Sequence, residues 1–556
     1  MSRAFSCSRL ANRLSLCAGT ALLLGACLDH PLKPVEYDKS EEIEDTVAIA
    51  INKDVDILFV IDNSGSMGEE QALLSANFAS FINVLEAKDV QANYRIGITT
   101  TDSGNPRCPS ATFKPEGGNL VLSSCLDRID QNEFKFGDDD FSFACSDNCT
   151  KRDADLMVRG TTTAYDTNEV PRKWIERIET ESNIGGVASN VEAFQCYGPQ
   201  GVAGCGFESH LESMYLALAN ATSAASKNNY GFLREAAILT IVFITDEADC
   251  SYNPSDPEKL IFTSNKVFWN SPDAPQPTSA LCWKAGVECT GGPDTFSECH
   301  SQNYDINRAV TTDTTKAVLQ PVSKYIDFVK SIELAKRKID MEQNVLISLI
   351  AGVPPGYENF EAEIPYENSI DTTYQGNFGI GPGCVLDAAT AVPPVREREF
   401  AEAFINPKTE RNLYSICQQD YSAALKSIAD QIRDQIKPAC MPGCVRDKNP
   451  ETPVVDAGCQ LFEENIAAMT SNAIPRCTEV NGAWTAPASA TVCFATLVDK
   501  DGKQTPSAID DMSSECVDEG FNLEFILIRS AAAPAGTTIS AACELSENKM
   551  RDCPGL

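Results

Sequence analysis

Val55-Asp56-Ile57-Leu58-Phe59-Val60-Ile61-Asp62-Asn63-Ser64-Gly65-Ser66-Met67 carries the strongest structural signal in this 556-residue chain. The apolar run is short and almost unbroken, as expected of a strand buried on both faces. A polar turn follows from Asp62 to Gly68. Leu74, Phe78, Phe81, Ile82 and Leu85 then recur at helical spacing. The stretch from Tyr94 to Thr101 (Tyr-Arg-Ile-Gly-Ile-Thr-Thr-Thr) reads as the next strand. Strand, helix and strand in this rhythm begin a βαβ unit, so the expected fold class is α/β with a doubly wound, mostly parallel sheet flanked by helices.

The same rhythm returns downstream. A helix is expected at 211–219, a strongly apolar strand at 237–244, and a helix carrying Val322, Ile326, Val329 and Ile332 on one face. A strand at 345–351 follows, then a last amphipathic helix with Tyr421, Leu425, Ile428, Ile432 and Ile436. Two stretches without periodicity, about 103–205 and 250–315, interrupt the pattern and are rich in cysteine. They read as insertions in one α/β domain over 55–440. Lys448-Asn449-Pro450-Glu451-Thr452-Pro453 marks a linker over 441–458, and residues 459–556 read as a small disulfide-rich module with strands near 491–498 and 521–528.

Cysteine usage fixes the compartment. Three of the 23 cysteines (Cys7, Cys17, Cys27) lie in the N-terminal segment, and the other twenty run from Cys108 to Cys553. An even number spread over 450 or so positions predicts a framework of up to ten disulfides, which needs an oxidising environment. Arg3, Arg9 and Arg13 precede an apolar run from Leu14 to Leu24, too short to span a bilayer, that ends in Leu24-Gly25-Ala26-Cys27. This reads as a lipoprotein signal peptide over 1–26, with Cys27 as the lipidated (palmitate-bearing) residue. Residues 27–54 read as an acidic tether. The expected location is the cell envelope, lipid-anchored at the outer membrane or cell surface, with contact to the membrane through the anchor only.

The net charge of −34 excludes a phosphate backbone as natural partner, so no nucleic acid is expected. Only three histidines (His30, His210, His300) are present, which leaves little material for His-based hydrolysis or a His-rich zinc site.

Asp62-Asn63-Ser64-Gly65-Ser66 places hard oxygen donors two residues apart at the C-terminal end of a buried strand, where open parallel sheets bind ligands. The strand at 237–244 ends in Thr245-Asp246-Glu247-Ala248-Asp249, and the strand at 94–101 ends in Asp102. In a parallel sheet all three ends meet at one edge. This combination resembles the von Willebrand factor A (VWA) domain with its metal-ion-dependent adhesion site (MIDAS), and the whole chain resembles large Cys-rich bacterial surface lipoproteins. The resemblance implies a Rossmann-like VWA fold, a bound Mg²⁺ (or Mn²⁺ or Ca²⁺), and Ser64 and Ser66 as direct ligands. Asp62 and Asp246 would then act mainly through water or hydrogen bonds. The family's further threonine ligand has no counterpart in Gly204-Cys205-Gly206-Phe207-Glu208-Ser209. Glu208, Ser209, Thr101 and Asp102 are the candidates to replace it.

The function these residues imply is adhesion: a protein or surface ligand offering a carboxylate completes the cation's coordination. Two alternatives stand beside it. One is a structural envelope lipoprotein with an inert VWA site. The other is a metal-dependent hydrolase using Asp62, Asp246 and Asp249, against which no activated nucleophile or histidine base is expected beside the cluster. No enzyme activity is expected.

Overall fold

The computed structural model describes residues 44–49, 53–87, 90–108, 114–178, 181–254, 261–338, 344–386, 389–436, 439–465, 470–480, 482–500, 502–529 and 537–554. All belong to one compact unit, Glu44–Leu556. The segment read as a signal peptide, Cys27 and the stretch read as a tether, up to residue 43, lie outside the described residues.

In chain order, the elements that position the site are β1 (Glu44–Ile49), β2 (Asp54–Ile61), α1 (Gly68–Leu85), β3 (Asn93–Thr100), β4 (Trp174–Ile178), β5 (Glu181–Ser182), α2 (Asn190–Tyr197), α3 (His210–Ala221), β6 (Ile238–Ile244), α4 (Val322–Lys336), β7 (Leu346–Ala351), α5 (Val395–Glu402), β8 (Leu413–Ser415) and α6 (Ser422–Gln435). One seven-stranded sheet runs in the order β8-β7-β6-β2-β3-β4-β5. Its first five strands are mutually parallel, and β4 and β5 are antiparallel. The mostly parallel sheet expected from the sequence is therefore present.

Strand β2 lies at the centre, and its alternation explains why its apolar run is continuous. Ile57, Phe59 and Ile61 pack with Leu74, Phe78 and Phe81 of α1 and with Leu425, Ile428 and Ile432 of α6. Leu58 and Val60 pack with Leu211 and Met214 of α3, Tyr325 of α4 and Phe400 of α5. Helices thus cover both faces, and every residue from Ile57 to Ile61 is fully buried.

The first insertion contains regular structure that its sequence conceals. Strand β4 extends the sheet beside β3, where Arg95 and Glu176 form a buried ion pair at 2.5 Å. Helix α2 stacks Phe194 on Phe78 of α1 with ring centroids 3.5 Å apart. Both elements are short, five and eight residues, so neither spans enough positions to establish a period.

The twenty cysteines from Cys108 to Cys553 pair as ten disulfides. Three of them pin the first insertion: Cys108–Cys205, Cys125–Cys145 and Cys149–Cys196. Cys250–Cys282 and Cys289–Cys299 pin the second.

The C-terminal region adds β9 (Cys459–Asn465), β10 (Thr470–Ile474), β11 (Val492–Leu497), β12 (Glu524–Arg529) and β13 (Thr537–Glu544). Strands β11 and β12 stand where strands were expected. Two boundaries differ from expectation. Glu44–Ile49, assigned to the tether, pairs antiparallel with β13 at one edge of a sheet ordered β1-β13-β9-β10. Part of the linker is likewise integrated, because Cys444 bonds to Cys553 and Val445 bridges Leu545. Backbone pairing and cross-links created these contacts, and neither is visible in hydrophobic pattern.

Candidate metal centre

Three loops leave the sheet at one level. Ile61 is paired with both Ile244 and Thr100, so the next residues of β2, β6 and β3 emerge side by side. The ladder continues past the strands: Asp62 N–H donates to Ile244 O (2.9 Å), Thr101 N–H to Ile61 O (3.3 Å) and Thr245 N–H to Ile350 O (3.1 Å). The expectation that the strand ends meet at one edge is met.

The Asp62 turn is held rigidly. Asp62 Oδ1 accepts from Ser64 N–H at 2.8 Å, and Oδ2 accepts from the Thr245 hydroxyl at 2.6 Å. Gln71 of α1 donates to the carbonyls of Asp62 and Gly201 and accepts from the amides of Gln200 and Gly201, clamping the turn to the loop before α3. That loop crosses so closely that a Cβ on Gly204 would lie 2.7 Å from the Asn63 carbonyl oxygen, which explains glycine there. The Cys108–Cys205 disulfide fastens the same loop to the segment following β3.

Around this turn the structure gathers the oxygens singled out in the sequence. The Ser64 and Ser66 hydroxyls lie 3.4 Å apart, and Ser66 acts on the Asp246 carboxyl, lowering its pKa against the larger effect of burial. Thr101 donates its hydroxyl to Glu208 Oε2, leaving Oε1 of this fully buried residue without a partner. Asp246 Oδ1 is also buried and unpartnered. Asp102 sits at the same edge but accepts from Gly104 N–H. Ser209 is turned away: its hydroxyl donates to the Cys250 carbonyl at 3.4 Å. Asp249 is engaged by Arg396, Ser251 and the Leu211 amide.

The electrostatics are strongly one-sided. Burial, then the neighbouring charges of Asp62 and Glu247, push the carboxyl of Asp246 well above its ordinary range. Burial and Asp62 do the same to Glu208. Glu247 is pushed up to about 8 by burial and Asp62, and Glu70 to about 7 chiefly by burial. Among the described residues, the cations facing these carboxylates are Arg396, paired with Asp249, and His210. Burial pulls the pKa of His210 down, but Asp62 and Glu397 outweigh that and raise it to about 10. Phe136, more than half exposed, lies on Gly65 and forms an aromatic rim beside the turn.

Sequence reasoning missed Gln71, Thr245, His210 and Glu397. Thr245 immediately precedes Asp246, and His210 follows Ser209 in a chain with three histidines, so both carried a signal. Gln71 and Glu397 carried none.

No protein-family model matches the chain, and no curated protein matches it. Among solved structures, the pilus adhesin SpaC from Lactobacillus rhamnosus GG aligns in its open conformation at a TM-score of 0.26 and 10% identity, over 90% of this chain and 40% of the adhesin. A second form of the same adhesin gives 0.25 and 11%, over 89% and 40%. The chain thus spans 40% of the length of these adhesins. With so loose a superposition, the fold rests on its own strand order.

Proposed function

We propose that this protein is a lipid-anchored surface protein that binds a partner through a divalent cation held at the C-terminal edge of its parallel sheet. In this reading the α/β unit is a doubly wound VWA-like domain. Ser64, Ser66 and the carboxylates of Asp246 and Glu208 hold Mg²⁺, Mn²⁺ or Ca²⁺, with Asp62 supporting them.

One observation carries the reading. Two buried carboxylate oxygens, Asp246 Oδ1 and Glu208 Oε1, have no hydrogen-bond partner beside a turn that presents two serine hydroxyls. Buried carboxylates are normally paired or bound to metal, because an isolated buried charge is costly. A hard cation among oxygen donors supplies that missing partner. When bound, it would supply a Lewis-acidic position for an oxygen of the ligand, such as a carboxylate. The protein's own part is to fix the donors: Gln71 and the Cys108–Cys205 disulfide hold the loops, and Phe136 and the cross-linked insertions shape the rim.

The test is capture of partners from cell-envelope extracts by the immobilised protein, in Mg²⁺ plus Ca²⁺ or in a chelator. Binding lost in chelator and absent from Ser64→Ala supports the reading. Equal capture in both conditions contradicts it.

A further inference from the structure

The first insertion lays a short hairpin across the cation turn. Its two strands pair Lys135 with Asp140 and Phe136 with Asp139. Residues directly opposite on antiparallel strands share a face. Phe136 and Asp139 therefore form one face of the hairpin. Lys135 and Asp140 form the other, with their charged groups 4.0 Å apart.

The face bearing Phe136 is the one turned to the cation turn. A Cβ on Gly65 would lie 2.5 Å from the Phe136 ring, so the ring rests against the backbone between Ser64 and Ser66. Gly68, at the end of the same turn, is covered in the same way by Phe141. The hairpin is fixed at its base. Phe134 is buried in the core, and Phe141 N–H donates to the Phe134 carbonyl at 2.8 Å. Val202 N–H, in the loop before α3, donates to the Glu133 carbonyl at 2.6 Å.

A lone exposed phenylalanine is ordinary on a protein surface. Phe136 differs in its place and its neighbour. It is 58% exposed although one side rests on Gly65, and it shares its face with the exposed carboxylate of Asp139. An aromatic ring beside a carboxylate fits a cation. A guanidinium fits most closely, because it stacks on the ring and pairs with the carboxylate at once. Asp139 also repels a bare carboxylate approaching the turn, as does the net charge of −34. A ligand with a positive charge next to its carboxylate escapes that repulsion.

We infer that the face formed by Phe136 and Asp139 is a specificity subsite: it receives a basic side chain of the partner, arginine above all, next to the carboxylate that the cation binds. The partner it fits is a polypeptide with adjacent basic and acidic side chains. This rests on the cation reading above.

The test uses the full chain loaded with Mn²⁺ and two capped dipeptides, acetyl-Arg-Glu-amide and acetyl-citrulline-Glu-amide. Citrulline keeps the planar end of arginine without its charge. Binding at the cation is read from the relaxation that Mn²⁺ induces in the peptide protons. In wild type the arginine peptide should bind about five- to tenfold more tightly. Phe136→Ala alters no charge, so its effect separates a shaped site from general attraction; it should reduce the ratio to about two or less. Asp139→Asn should reduce it as far, and Phe136→Tyr, which restores the ring, should preserve it. Calorimetry with Mn²⁺ alone should give all three variants the wild-type Kd, since neither side chain is a ligand of the cation.

Equal affinities for the two peptides in wild type overturn the inference. So does a preference for arginine that survives both Phe136→Ala and Asp139→Asn. Wild type that takes up no Mn²⁺ overturns the cation reading and this inference with it, whereas uptake without a preference for arginine overturns this inference alone.

Discussion

Thr101 donates its hydroxyl hydrogen to the carboxylate of Glu208, joining the end of β3 to the loop before α3 across one wall of the site. The bond leaves Glu208 Oε1 as a buried, unpartnered oxygen beside Asp62. Replacing Glu208 with glutamine removes an ionisable group whose charged form the cation-free protein disfavours. In chelator at pH 8, Glu208→Gln should therefore be more stable than wild type, on the order of 1 kcal/mol. With Ca²⁺ present its advantage should vanish or reverse. Thermal melts of both proteins in both conditions check this; a variant less stable in chelator would argue against Glu208 as an uncompensated carboxylate.

Acidity gives a second handle. The carboxyls of Glu70 and Glu247 are raised to about 7 and about 8, and those of Asp246 and Glu208 are also raised, by burial and by Asp62. Carboxylates with raised folded-state pKa values contribute stability that is complete below their unfolded values, near 4.5, and is lost as pH rises through the folded values. The cation-free protein should thus lose stability between about pH 4.5 and pH 8. Cations compete with these protons, so the stabilisation by Ca²⁺ should grow across the same interval. Melting temperatures measured in chelator and in Ca²⁺ at each pH should diverge as pH rises. Parallel curves would contradict the prediction.

The disulfide Cys108–Cys205 closes a separation of 97 residues. A loop of that size is expected to stabilise the fold by about 2–5 kcal/mol through the unfolded chain. The Cys108→Ser, Cys205→Ser variant should lose that much in urea unfolding. It should also bind cations more weakly, since the loop bearing Glu208 is freed. Unchanged affinity would mean that Gln71 alone holds the loop.

The reach of the sequence differed between fold and site, for physical reasons. The central strand was legible because burial on both faces leaves no polar position between Ile57 and Ile61. The helix carrying Leu425, Ile428 and Ile432 was legible because its apolar face keeps one period over four turns. Asp62, Ser64, Ser66 and Asp246 were legible because parallel strands deliver their C-terminal ends to one edge. Strand β4 was not, since its place depends on pairing with β3 and on the ion pair between Arg95 and Glu176. Glu397 was not, because its contact with His210 joins positions 187 apart in number and leaves no local pattern.

Anchoring is tested separately. Cys27→Ser should abolish incorporation of labelled palmitate and move the protein from the membrane to the soluble fraction. Continued labelling of the variant would refute the assignment of Cys27. Among the described residues, no helix is long and apolar enough to cross a membrane.

The most direct test of the central claim is the melting temperature of the purified protein as Mg²⁺, Mn²⁺ or Ca²⁺ is added, compared with the Asp62→Ala, Ser64→Ala variant. A ligand bound only by the folded state stabilises it by about 2.7 kcal/mol at a hundredfold excess over its dissociation constant. The account predicts a saturable rise of several degrees in wild type and little or none in the variant, with the variant folded in the absence of metal. An equal rise in both proteins would place the cation elsewhere and contradict the account.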